Sequence, residues 1–120
     1  MKEQNIILEK SYTFGLRMVK LYMHLRKQKV ERELLIQMMK SGTSIGANIE
    51  EAVGAQSKSD FIHKVSIAYK ESRETSYWLR LLNDAKILED RLSQSFLKDI
   101  EELKKILASI FKTSKQFKTI

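Results

Sequence analysis

Residues 41–52, Ser-Gly-Thr-Ser-Ile-Gly-Ala-Asn-Ile-Glu-Glu-Ala, place two glycines and several small polar residues inside a run with helical periodicity. A glycine in a helix interior costs roughly 0.5–1 kcal/mol relative to alanine. Gly42 and Gly46 stand four residues apart, so they open a flat, narrow strip on one helix face. Such a strip is useful where another backbone must come close. A chain built this way is a helix-packing protein before it is anything else.

The remaining periodicity agrees. Four amphipathic segments are expected, over residues 5–29, 31–52, from residue 57 to about residue 84, and 89–115. In the first, Leu8, Tyr12, Gly15, Val19 and Tyr22 form a stripe that is predicted to face the core. Leu35, Met38, Met39, Gly42, Ile45, Ile49 and Val53 turn inward in the second, and Phe61, Val65, Ala68, Ser72, Thr75, Leu79 and Leu82 in the third. Leu92, Phe96, Ile100, Leu103, Leu107 and Ile110 supply the fourth seam. Ser57 and Asp60 resemble a capping box with Asp in the acidic position. Gly54 suits a helix C′ position of positive φ. The breaks are short, at residues 28–30, 54–56 and 85–88, so neighbouring helices should be antiparallel. The expected fold is all-α, an up-down-up-down four-helix bundle forming one domain over residues 1–120. The last residues, Thr113 to Ile120, are expected to fray.

Composition narrows the chemistry. Cysteine is absent, which removes disulfides and thiol catalysis and suits a reducing cytoplasm. No apolar run reaches the length of a signal peptide or a membrane span. A bundle di-metal site needs Glu-x-x-His on facing helices, whereas the two histidines, His24 and His63, follow Leu21 and Asp60 at that spacing. Glu71 and Glu74 could be imagined as an acid/base pair, but Lys70 and Arg73 stand beside them and no nucleophile accompanies them. The glycine pair lacks the Lys-Ser/Thr and the preceding strand of a phosphate loop. No enzyme activity, metal or cofactor is expected.

The net charge is +7. Residues 1–30 carry seven Lys or Arg against two Glu, whereas residues 31–56 are net acidic. Lys10, Arg17, Lys20, His24 and Lys27 recur along one face of the first helix, and Lys98, Lys105 and Lys112 repeat every seven residues in the fourth. Such stripes can follow phosphates, so Lys10, Arg17, Lys20, Lys27, Lys98, Lys105 and Lys112 are the candidate nucleic-acid contacts. The same pattern also describes an ordinary solvated helix face. Tyr12, Phe14, Tyr22, Tyr77 and Trp78 fit a core or interface role better than base stacking, which requires exposure beside cations.

Small and polar residues form the other candidate set. Gly42, Ser44, Gly46 and Asn48 on the second helix, with Ser72 and Glu74 on the third, are expected to fix packing or subunit contact. Ser72 is small enough to face the glycine strip. Whether the strip meets a helix of its own subunit or of another stays open at this level.

The run 41–52 is followed by Ser57-Lys58-Ser59-Asp60-Phe61, then by Ala68-Tyr69-Lys70-Glu71-Ser72-Arg73-Glu74-Thr75 and Tyr77-Trp78-Leu79. In this order the motifs resemble the bacterial four-helix-bundle proteins linked to intervening sequences of 23S ribosomal RNA genes, also called the S23 ribosomal protein family. Tyr12-Thr13-Phe14-Gly15-Leu16-Arg17 fits as well, with Gly15 where the family has Ala. The resemblance covers nearly the whole chain. It implies a short antiparallel bundle that assembles as a ring, a homopentamer. A related protein is the accessory variability determinant of diversity-generating retroelements, a basic pentameric barrel that works with a reverse transcriptase and RNA. The resemblance therefore implies nucleic-acid or ribonucleoprotein association, as a scaffold or accessory subunit that offers basic faces to RNA or DNA. A structural or protein-binding assembly without nucleic acid is the alternative.

Overall fold

Four helices form where the periodicity predicts them: α1 (Lys2–Arg26), α2 (Arg32–Val53), α3 (Lys58–Asp84) and α4 (Asp90–Lys118). The computed structural model describes residues 2–118, and the side chains of those other than residues 3 and 115–118. Short turns make each helix antiparallel to the next. Packing joins α1 to α2, α2 to α3, α3 to α4 and, most sparsely, α4 back to α1. The result is a four-sided, up-down-up-down bundle of 52 × 21 × 20 Å. Its longest helix, 29 residues at about 1.5 Å per residue, accounts for about 44 Å of the long axis.

The core takes the expected seams of α2, α3 and α4 with small changes. Leu35, Met38, Ile45, Ile49, Val65, Ala68, Leu79, Leu82, Phe96, Ile100, Leu103, Leu107 and Ile110 are all buried. Met39, Phe61 and Leu92 are half-buried against that core. Val53 was expected inside and is half exposed, and Ala52 is buried in its place. After the four-residue step from Ile45 to Ile49, a pitch of 3.6 residues requires a three-residue step, which lands on position 52.

α1 departs from expectation more strongly. The buried row is Ile7, Phe14, Met18, Leu21 and Leu25, with Ser11 completing the 4-3-4-3 spacing. Of the expected stripe, Tyr22 is buried, Leu8 and Gly15 are half-buried, Val19 is exposed, and Tyr12 is 68% exposed. Two stripes of identical spacing run along this helix, one residue out of phase. The buried one carries Phe14, Met18 and two leucines, so it removes more apolar area from water.

The helix ends show why the turns are where they are. Ser57 is extended (φ −149°, ψ 163°), and its Oγ accepts the Asp60 N–H at 3.0 Å, the Ser half of the expected box. Gly54 does not use a left-handed conformation: its φ is −92°. Lys29 (φ 61°) and Lys86 (φ 66°) do. At the end of α3, Ile87 N–H donates to Leu82 O at 2.9 Å and Lys86 N–H donates to Asn83 O at 3.0 Å. That is a Schellman cap with lysine where glycine is usual. Asn83 Nδ2 fastens the turn to Leu88 O at 3.0 Å and to Asp90 Oδ1 at 2.8 Å. Lys86→Gly should therefore raise stability. An L-residue in this region costs about 1–2 kcal/mol, offset by the greater entropy of unfolded glycine, which leaves a gain of roughly 0.5–1 kcal/mol. Urea unfolding should show a higher midpoint at unchanged slope.

The expected fraying from Thr113 is not seen as far as Lys118, because α4 continues to that residue. Residues 119–120 lie outside the described residues. Among the described residues, no helix is long and apolar enough to cross a membrane.

Candidate functional site

The glycine strip of α2 packs against α1 within the same chain. A Cβ on Gly46 would lie 3.1 Å from the carbonyl oxygen of Ser11 and 3.3 Å from its carbon. One on Gly42 would meet Met18 Cγ at 2.7 Å and Cε at 2.8 Å. The strip thus admits the α1 backbone at Ser11 and the Met18 side chain. Gly15 on α1 is under no such constraint, since its Cβ would lie 3.9 Å from Thr43 Cα.

The polar residues of the strip satisfy themselves locally. Ser44 Oγ donates to Lys40 O at 2.6 Å, Asn48 Nδ2 to Ser44 O at 2.8 Å, and Thr43 Oγ1 to Met39 O at 2.9 Å. Buried Ser72 donates to Tyr69 O of its own helix at 2.6 Å. The polar tie from α3 to α2 is Thr75, whose Oγ1 lies 3.0 Å from Ser41 Oγ, with both residues buried. Ser41 Oγ donates to Met38 O at 3.1 Å, and the single Thr75 hydroxyl proton is shared between Ser41 Oγ and Glu71 O, the latter at 2.8 Å. Glu74 accepts the Trp78 indole N–H at 3.1 Å. Burial and then the charge of Glu74 push the Glu71 carboxyl above its ordinary pKa, against the pull of Lys40. Among the described residues, no group of three His, Asp or Glu could hold a metal ion.

The seven candidate cations divide. Lys10 Nζ pairs with Glu102 at 2.9 Å, and Arg17 pairs with Asp99 at 2.5 Å. Arg17 also donates to Ser95 Oγ at 3.0 Å and lies 4.0 Å above the Phe96 ring. The hydrogen bond to Glu102, then its charge, raises the Lys10 pKa. These two residues close the sparse α1–α4 side, and their charge is answered before a polyanion arrives. Exposed pairs of this kind contribute little to stability. Their acidic partners stand 82 and 92 residues away in the chain, beyond the reach of any local pattern. Lys20, Lys27, Lys98, Lys105 and Lys112 are exposed, and no ion pair to them is seen among the described residues.

A third feature was misread at the level of sequence. α1 presents to solvent an apolar row of Tyr12, Leu16, Val19 and Met23, of which Tyr12 and Val19 were expected inside; Leu16 is 47% and Met23 51% exposed. It borders an open groove of about 250 Å³ between α1 and α2, lined also by Gly15, Thr43, Gly46 and Ala47. On α3, Tyr77 and Leu81 are exposed too, and Tyr77 meets Trp78 edge to face at 5.2 Å. The available signal was the doubled stripe itself, since a helix with two apolar faces in a single-layer bundle can bury only one.

No curated protein matches the chain. Among solved structures it is similar to a protein with unknown function from the S23 ribosomal protein family of Bacteroides thetaiotaomicron VPI-5482, known at 1.70 Å resolution. The two are 44% identical, the match covers 92% of this chain and 98% of the other, and the TM-score is 0.89. Residues 3–109 match the 23S rRNA-intervening sequence proteins, and on these grounds the chain belongs to that family.

Proposed function

We propose that this protein is a non-enzymatic subunit of a homo-oligomeric ring that offers cations to RNA, as an accessory or scaffold component. The observation that carries the assembly is the exposed row Tyr12, Leu16, Val19 and Met23 beside the α1/α2 groove. Contiguous apolar surface of this kind marks interaction sites in soluble proteins. Tyr77 and Leu81 provide a second, different apolar patch on α3. Two unlike patches suit a head-to-tail contact, the kind that builds a ring when the turn from one subunit to the next closes on itself. Five copies is the number that the family resemblance implies. A cysteine-free chain suits the reducing cytoplasm in which such an assembly would meet RNA.

The RNA reading rests on Lys20, Lys27, Lys98, Lys105 and Lys112, which a ring would repeat around its wall. Changing these five to Gln should weaken binding to single-stranded RNA and flatten its salt dependence, by roughly 0.7 in log-log slope for each phosphate that is no longer neutralised. Fluorescence anisotropy across a salt series reads both quantities, and native mass spectrometry with and without RNA reads the stoichiometry. Lys10→Gln should leave the slope unchanged, because Glu102 already answers that charge. Flat, negligible binding at low salt would end the RNA reading and leave an assembly without nucleic acid, the alternative that the engagement of Lys10 and Arg17 favours.

A further inference from the structure

We propose that the open groove between α3 and α4 seats unstacked bases of single-stranded RNA. This rests on the RNA reading above and specifies where bases and phosphates go. Tyr69, Ala108 and Phe111 line the groove together with Ser66 and Lys70, and its volume is about 400 Å³. That is within the ordinary range of small-ligand sites. Among the described residues no carboxylate lines it, in contrast to the α1/α4 groove, where Glu9, Asp99 and Glu102 surround Lys10. The rim is cationic. Lys70 borders it directly, and Lys105 and Lys112 lie three residues before and four after Ala108, as its neighbours on the surface of α4.

An apolar, partly aromatic floor with lysines at its edge matches one nucleotide unit: the ring face lies on the floor and the phosphate meets the rim. An acidic amphipathic helix would match the charge but needs a row of apolar holes over several turns. The lining here spans little more than one turn on each helix, residues 66–70 and 108–111. Duplex RNA keeps its bases stacked and buried from side chains, so it can use only the lysines. The groove therefore predicts a preference for single strands, which the lysines alone do not.

The test uses the full chain with a labelled oligouridylate and its duplex with oligoadenylate. Ala108 is exposed, so Ala108→Gln fills the groove with a neutral helix former and keeps the charge. The wild type should bind the single strand more tightly than the duplex. Ala108→Gln should lower single-strand affinity about tenfold, the scale of unstacking one base from an aromatic side chain, with duplex affinity and circular dichroism unchanged. Photocrosslinking with 4-thiouridine RNA should place adducts on peptides containing Tyr69 or Phe111. Equal affinity for both RNAs, an unaffected Ala108→Gln variant, or adducts confined to other peptides would overturn the groove assignment and leave the RNA reading standing. Absence of binding to either RNA at low salt would remove both.

Discussion

Gly46→Leu will unfold this protein at temperatures where the wild type is stable. The added Cβ alone would lie 3.1 Å from the Ser11 carbonyl oxygen, a backbone atom that cannot rotate away. Leucine extends three carbons beyond that point, so α1 and α2 must separate along the seam that holds Met18, Ile45 and Ile49 buried. Overpacking costs about 1–3 kcal/mol where side chains can adjust, and more where backbone must move. A loss of about 3 kcal/mol or more is expected, which lowers the melting temperature by roughly 10 °C in a domain of this size. The other glycines calibrate the result. Gly42→Ala presses on Met18 at Cγ and Cε, a side chain that can change rotamer where the Ser11 backbone cannot, and an alanine adds only one carbon, so it should cost less than Gly46→Leu. Gly15→Ala meets nothing closer than 3.9 Å and should stabilise by about 0.5–1 kcal/mol. Melting temperatures should fall in the order Gly15→Ala, wild type, Gly42→Ala, Gly46→Leu. Wild-type melting of Gly46→Leu would show that the two backbones do not approach as described.

For the proposed ring, Leu16→Glu combined with Val19→Glu should leave a folded monomer of 14.0 kDa. Both side chains already face water, at 47% and 40% exposure, so the bundle loses little when they become charged. A subunit contact would lose a great deal, because two unpaired carboxylates in an apolar interface carry a desolvation cost of several kcal/mol each. Multi-angle light scattering reads the mass, and circular dichroism verifies that the helices persist. A wild type that itself runs at 14.0 kDa, or a double variant of unchanged mass, would remove this row from the interface.

The two predictions concern neighbouring rows of α1, and the boundary between those rows is where sequence reasoning failed. Helix content, the three breaks, the Ser57 cap and the seams of α2, α3 and α4 were all legible, because each depends on residues within a few positions of one another. The family was legible too, through motifs that stand in order along the chain. On α1 the same rule returned two answers. Ile7, Phe14, Met18 and Leu21 repeat as regularly as Leu8, Tyr12, Gly15 and Val19, and local spacing cannot rank them.

The cationic stripe failed for a related reason. Lys10 and Arg17 read as members of a row with Lys20 and Lys27 until α4 closes the bundle and brings Glu102 and Asp99 against them. The glycine strip was visible from its composition, but its partner was not, since α1, α3 or a second copy could each have approached it.

Periodicity and turn chemistry thus suffice for four rods and their antiparallel order, both being short-range properties of the backbone. Closure of the bundle selects the buried face of α1, the neighbour of Gly46 and which cations of the α1 stripe are paired with carboxylates of α4. Each of those outcomes depends on contacts between residues far apart in the chain, where competing burial energies and charge pairs are compared only after the helices meet.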